Sequence, residues 1–208
     1  MNLMNRFSVF AGVVSAVACA SANQLTNGDF ESGNFGFSSD YMFATGNSTE
    51  GQYTVSSTPS SFNGAFFNIP DHTSGSGKYL VVNGATSGSP KLWRQTVTVT
   101  AATSYIFDGF YSTAVAGGPA NLQLLINGQA VGSAFTLPNA VGTWMNSNQV
   151  WNSGTSTSAT LELVNTNLSS FPNDFYVDDL SFEAVPEPAT MTVLGFGIAA
   201  ILRKKRQA

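Results

Sequence analysis

The sequence predicts an all-β domain, a β-sandwich of jelly-roll type, on three observations. Thr, Val, Phe and Tyr recur in short runs between Gly, Ser and Asn, and only 10% of the 208 residues are charged; strands separated by many turns have this composition. No stretch between Gln24 and Glu183 sustains a 3.6-residue apolar period, so helices are not expected there. The apolar runs are short and closely spaced, enough for about nine or ten strands, which suits a jelly roll.

In chain order, the clearest strands are KYLVVNG, LWRQTVTVT, SYIFDGFY, NLQLLINGQAVGSAF, GTWMNSNQVW, ATLELVN and DFYVDDLSFE. Asn127-Gly128 divides the fourth run into a hairpin, because this dipeptide accepts the two positive φ angles of a type I′ turn. In LWRQTVTV, Trp93 shares parity with Gln95, Val97 and Val99 and is expected to face the core. Trp144 and Trp151 have opposite parity on one run, so at most one is expected to be exposed. In the last run, Phe175 and Val177 share a face, but Leu180 and Phe182 fall on the other one. One extra residue at Asp178-Asp179 returns all four to the core, which predicts a β-bulge carrying two adjacent carboxylates.

The two ends of the chain read as addresses. Arg6, the apolar stretch Phe7 to Ala18 and the small-x-small triplet Ala20-Ser21-Ala22 form a secretory signal helix cut by signal peptidase after Ala22. At the other end, Ala189 to Leu202 is apolar and is followed by Arg203, Lys204, Lys205 and Arg206. As a helix this run spans about 21 Å at ~1.5 Å per residue, short for a hydrocarbon core of about 30 Å. The basic cluster stays cytoplasmic by the positive-inside rule, so the helix holds the exported chain transiently in the inner membrane. Pro186 and Pro188 keep the backbone extended just before it. Three regions follow: a signal peptide (1–22), a β-sandwich domain (23–184) and a C-terminal segment (185–208).

The ordered set VPEPAT, short Gly-rich apolar helix and RKKR resembles the PEP-CTERM sorting signal, which exosortases recognise in Gram-negative bacteria that make exopolysaccharide. The resemblance implies processing at or near Pro186, Glu187 and Pro188 and delivery to the cell surface or the extracellular matrix. Within the domain, LTNGDFESG, PDHTSGSGKYLVVNG and DFYVDDLSFE resemble carbohydrate-binding modules of the galactose-binding-like jelly-roll superfamily. Many members hold a structural calcium between the first and last strands. The resemblance implies Glu31 and Asp178 as carboxylate ligands, with Asp71 as a third, since calcium takes several oxygen ligands.

A sugar-binding face needs flat rings for pyranose C–H faces and amides or carboxylates for hydroxyls. Trp144 and Trp151 are the expected ligand-binding rings, with Trp93, Tyr41, Phe66, Phe67 and Tyr111 as further aromatic candidates. The expected partner is extracellular polysaccharide, bound without catalysis. Nucleic acid is excluded, because Asn23 to Ala184 holds eleven carboxylates against Lys78, Lys91 and Arg94. Cys19 lies in the signal segment, so the mature chain has no thiol chemistry. The only histidine, His72, comes with no GxSxG motif, and no motif pairs two carboxylates for glycoside hydrolysis. Two other readings stand beside the binding module: a structural surface or biofilm protein with no defined ligand, and a polysaccharide-active enzyme.

Overall fold

The computed structural model describes residues 22–185; the signal helix, the C-terminal apolar helix and Pro186-Glu187-Pro188 lie outside the described residues. Ten strands form two sheets. The larger sheet contains β1 (Met42–Phe43), β2 (Gln52–Ser56), β3 (Tyr79–Asn83), β5 (Ser104–Thr113), β8 (Met145–Asn152) and β10 (Phe175–Ala184), in the order β1-β2-β3-β10-β5-β8. The smaller contains β4 (Lys91–Thr98), β6 (Asn121–Ile126), β7 (Gln129–Thr136) and β9 (Ser158–Asn165), in the order β4-β9-β6-β7. All pairings are antiparallel except β1 with β2. The expected sandwich is the observed one.

The alternation of each strand explains the sandwich. On β6, Leu122, Leu124 and Ile126 are buried while Asn121, Gln123 and Leu125 are half-exposed. Their inward face meets Phe107, Tyr111, Phe175, Val177 and Phe182 from the larger sheet in one core. Strand β3 reads differently: all five residues of YLVVN are buried. Leu80 and Val82 enter that core, while Tyr79 and Val81 join Phe62, Phe66, Ile69 and Tyr176 in a second cluster. This cluster forms because residues 57–78 cross the outer face of the sheet, carrying the short helix α1 (Pro59–Phe62), which the apolar period did not signal. A strand covered on both sides reads as an unbroken apolar run, because neither face meets water.

The local expectations hold. Asn127 and Gly128 have φ of 52° and 76°, and the hairpin closes with Ile126 opposite Gln129. Trp93 is fully buried in the inner core. Leu92 is buried as well, because the register slips between Lys91 and Trp93 and turns both side chains inward. The register of β10 against β5 shifts between Asp178 and Ser181, and Asp179 takes φ 47°. Phe175, Val177, Leu180 and Phe182 all lie in the same core, so the bulge does what the spacing requires.

The first described residues are tied to this last strand. The Gln24 N–H donates to the Phe182 carbonyl (2.9 Å), and Asn23 Oδ1 accepts from the Phe182 N–H (2.9 Å). Downstream, the Val185 N–H donates to the Ser104 carbonyl (2.8 Å). Ordered structure therefore reaches the residue that precedes Pro186.

Candidate functional site

Neighbouring antiparallel strands bring the start of β2, the end of β3, the start of β10 and the end of β5 to one end of the larger sheet. The loops leaving that end enclose a cleft of about 290 Å³. Asn47 and Glu50 come from the β1–β2 loop, Asn63 from the segment after α1, and Asn83 from the end of β3. Phe171 and Asp174 come from the approach to β10.

Amides hold the floor. The Gln52 side-chain oxygen accepts from the N–H groups of Ser48 (2.7 Å) and Thr49 (3.2 Å) and from Asn47 Nδ2 (3.2 Å), and so fixes the β1–β2 loop. Asn47 Oδ1 then accepts from Asn63 Nδ2 (3.0 Å) and Asn83 Nδ2 (2.9 Å). Asp174 Oδ1 accepts from the Gly84 N–H (2.9 Å). Three acceptors on the cleft wall stay unspent: Asn83 Oδ1, Asp174 Oδ2 and the whole Glu50 carboxylate accept no hydrogen bond from the described residues.

The electrostatics follow from that wall. Asp174 is only 7% exposed, and burial, reinforced by the nearby Glu50 charge, pushes its carboxyl up to about 6. Glu50 is exposed, yet partial desolvation raises it too. No Lys or Arg lines the cleft. Beside it stands Phe171, at 66% exposure a ring available for contact. The site is thus rich in acceptors, negative and flanked by an apolar plane.

The aromatic residues expected to bind sugar lie elsewhere. Trp144 immediately precedes β8 and is half-buried in the outer cluster, edge-on to Tyr79 (5.5 Å between ring centroids). Its indole N–H donates to the Pro70 carbonyl (3.0 Å). Trp151 is half-buried against the inner core, near Tyr105 and Phe182 (6.2 Å each). The two indoles do serve opposite faces, as their parity requires, but each is engaged in packing. Tyr41, Phe66 and Tyr111 are buried; Phe67 is 58% exposed. The exposed rings among the described residues are Phe35, Phe43, Phe67 and Phe171.

The expected calcium residues all reach one loop, 70–78. Glu31 accepts from the Lys78 N–H (3.0 Å). Asp71 accepts from the N–H groups of Ser74 (2.8 Å) and Gly77 (2.7 Å). Burial pushes the Asp71 carboxyl up, but these donors outweigh it and hold it below its ordinary value. Asp178 accepts from the His72 N–H (2.8 Å), and burial pushes its carboxyl up to about 7. The adjacent Asp179 meets His72 Nδ1 (2.6 Å) and accepts from the Thr73 hydroxyl (2.7 Å), while the His72 ring stacks on Phe110 (3.4 Å between centroids). A Cβ at position 77 would meet the Glu31 and Asp71 carboxylates, which both border this glycine. Among the described residues no three His, Cys, Asp or Glu side chains converge as a metal site. All three carboxylates fasten the loop through backbone N–H groups. Calcium rests on the resemblance alone.

A second concavity of about 400 Å³ is lined by Asp29, Asp108 and Asp179 with Phe110 and Ser181. Two of these acids already have partners, since Asn146 Nδ2 donates to Asp108 (2.8 Å) and His72 meets Asp179. No helix among the described residues is long and apolar enough to cross a membrane.

Comparison with known proteins agrees with this architecture. The domain is similar to the CBM22-1 xylan-binding domain of Xyn10C from Paenibacillus barcinonensis, with a TM-score of 0.55 and 15% identity over 81% of this chain and 98% of that one. It is similar to TmCBM61, solved in complex with β-1,4-galactotriose, with a TM-score of 0.51 and 17% identity over 79% of this chain and 100% of that one. It is also similar to the Stig cyclase FisC from Fischerella sp. TAU, with a TM-score of 0.58 and 14% identity over 80% of this chain and 98% of that one. At these identities the likeness is one of fold, and that fold hosts both binding modules and enzymes. No curated protein matches the chain. Residues 184–207 match the PEP-CTERM protein-sorting motif, so the chain carries a PEP-CTERM sorting signal behind a domain with the jelly-roll fold of carbohydrate-binding modules.

Proposed function

We propose that this protein is an exported carbohydrate-binding module whose site is the Asn47–Glu50–Asn83–Asp174 cleft, with Phe171 as its platform. The observation that carries the reading is the set of unspent acceptors in that cleft beside an exposed ring. Sugar hydroxyls are donors that such acceptors satisfy, and pyranose C–H faces pack on a ring. The PEP-CTERM signal supports export and processing by an exosortase in a Gram-negative bacterium. It thereby supports a partner met outside the cell, and extracellular polysaccharide is the one proposed.

Binding without turnover is part of the reading. His72 is engaged with Asp179 and Phe110 and is not among the residues lining the cleft. Affinity of a single site is expected to be weak, roughly micromolar to millimolar, because a solvated sugar offers few apolar atoms. Many copies on one surface offset this through effective concentration.

The test is retention in affinity electrophoresis against a panel of extracellular polysaccharides, including that of the host. Phe171→Ala and Asn83→Ala are expected to abolish retention, and Phe171→Ala to do so at unchanged melting temperature because the ring is exposed. Absence of retention on every polysaccharide favours a structural surface protein. Release of reducing sugar from the panel favours an enzyme.

A further inference from the structure

Resting on that reading of the cleft, we propose that its preferred ligand carries a protonated amine, so that the site selects amino sugars over neutral or acidic ones. The argument begins with the balance of groups on the wall. Glu50 and Asp174 are the only charged residues that line it. Asp174 is more than nine-tenths buried, and just one of its oxygens has a donor, the Gly84 N–H. Asn83, 5% exposed, has both its N–H donations spent on Asn47 and Thr49, and its oxygen is left over.

Nothing in the described domain neutralises these charges. Its three cations are placed elsewhere. Arg94 bridges Glu162 (2.7 Å) and Asp40 (3.3 Å). Lys78 Nζ donates to the Glu31 carbonyl (3.3 Å), and Lys91, whose backbone N–H donates to Asp40 (2.9 Å), has its charge near enough to that carboxyl to help lower its pKa. Two like charges facing one cleft with no cation are unfavourable unless a ligand supplies one.

An ammonium group matches the cleft wall in three respects. It has three N–H donors and no acceptor, which suits Asp174 Oδ2, Asn83 Oδ1 and Glu50. It brings the missing positive charge, and charge-assisted hydrogen bonds are about twice as strong as neutral ones. It is also attracted to the face of an aromatic ring, which Phe171 presents beside the cleft. A uronate, in contrast, would add a third negative charge.

The experiment is calorimetric titration of the full-length protein with a glucosamine oligomer and with its N-acetylated counterpart of equal length, at low and high salt. We expect the amine form to bind at least about tenfold more tightly at low salt. The preference should shrink at high salt, where the screening length falls to a few ångströms. Asp174→Asn and Glu50→Gln are each expected to erase the preference while the melting transition stays cooperative. Equal affinity for the two oligomers overturns the inference and leaves the sugar-binding reading in place. So does binding of other neutral glycans with neither oligomer bound. A preference that survives in the Asp174→Asn, Glu50→Gln double variant also overturns it. Absence of binding to any glycan defeats both readings.

Discussion

The Asp174 carboxylate accepts a 2.9 Å hydrogen bond from the Gly84 backbone N–H and lines the same cleft as Glu50, with no cation between them. Burial first, and the Glu50 charge second, raise its pKa from 3.8 to about 6. A carboxyl raised in the folded state binds more protons there than in the unfolded chain. Its favourable contribution is therefore present in acid and is lost as pH rises through about 6.

Stability is thus expected to fall between about pH 4 and pH 7. Asp178, raised to about 7 chiefly by burial, acts in the same direction. The Asp174 share is on the order of 2–3 kcal/mol. Asp40 and Asp71, which are lowered, work the opposite way but only in more acidic solution, near and below their ordinary value of 3.8. Thermal melts across this range check the sign, and Asp174→Asn should flatten part of the slope. A melting temperature that climbs from pH 4 to pH 7 would contradict the assignment.

Gly28 packs against the bulge in β10, where the Leu180 N–H donates to the Gly28 carbonyl (2.9 Å). A Cβ at position 28 would overlap the Leu180 carbonyl oxygen, which is backbone and cannot swing away. Gly28→Ala is expected to cost about 1–3 kcal/mol through overpacking. Denaturant unfolding measures it. Gly64→Ala serves as the control, because nothing lies within 4 Å of a Cβ there.

Trp151 and Trp144 pack on opposite faces of the larger sheet. Both Trp→Ala changes are expected to lower stability, by up to about 3–5 kcal/mol for a well-packed indole, while leaving retention on polysaccharide intact. Loss of retention in Trp144→Ala with an unchanged melt would return the binding platform to that strand.

Calcium is tested by chelation. The loop 70–78 is already fastened by N–H donors to Asp71 and Asp178. If these carboxylates hold the calcium that the resemblance implies, chelation is expected to lower the melting temperature, and coinciding curves would remove the metal. An ion bound only to the native state at a hundredfold excess over its Kd would add about 2.7 kcal/mol, so a drop of several degrees that calcium reverses would install the metal.

Processing is tested by intact mass. Protein extracted from the cell surface is expected to begin near Asn23 and to lack the segment beyond Pro188, as a PEP-CTERM signal implies. Detection of Arg203 to Ala208 on surface protein would contradict exosortase processing.

How much of this was legible in the sequence depends on how far apart the determining residues lie. The bulge at Asp178-Asp179 follows from four apolar side chains within eight positions, since a period of two leaves no other way to bury them all. The Asn127-Gly128 turn follows from backbone sterics at two residues. The sorting signal is contiguous and was readable for the same reason. Trp151 and Trp144 show the limit. Their opposite parity was readable, but not that residues 57–78 fold across the outer face and cover the indole that points there.

The cleft was not legible at all. Asn47 comes from the β1–β2 loop, Asn83 from the end of β3, and Phe171 and Asp174 from the approach to β10, and no local motif joins the three segments. The one available hint was Phe171 next to Pro172 in a polar stretch, a position where a ring is left outside the core. By itself the sequence determined the sandwich, the turn, the bulge and the address, because short-range sterics and alternation act within a few residues. Only the tertiary structure decided which carboxylates find partners. Asp71 and Asp178 became fasteners, while Asp174 and Glu50 were left facing an open cleft, because strand order alone sets which loops meet at one end of a sheet.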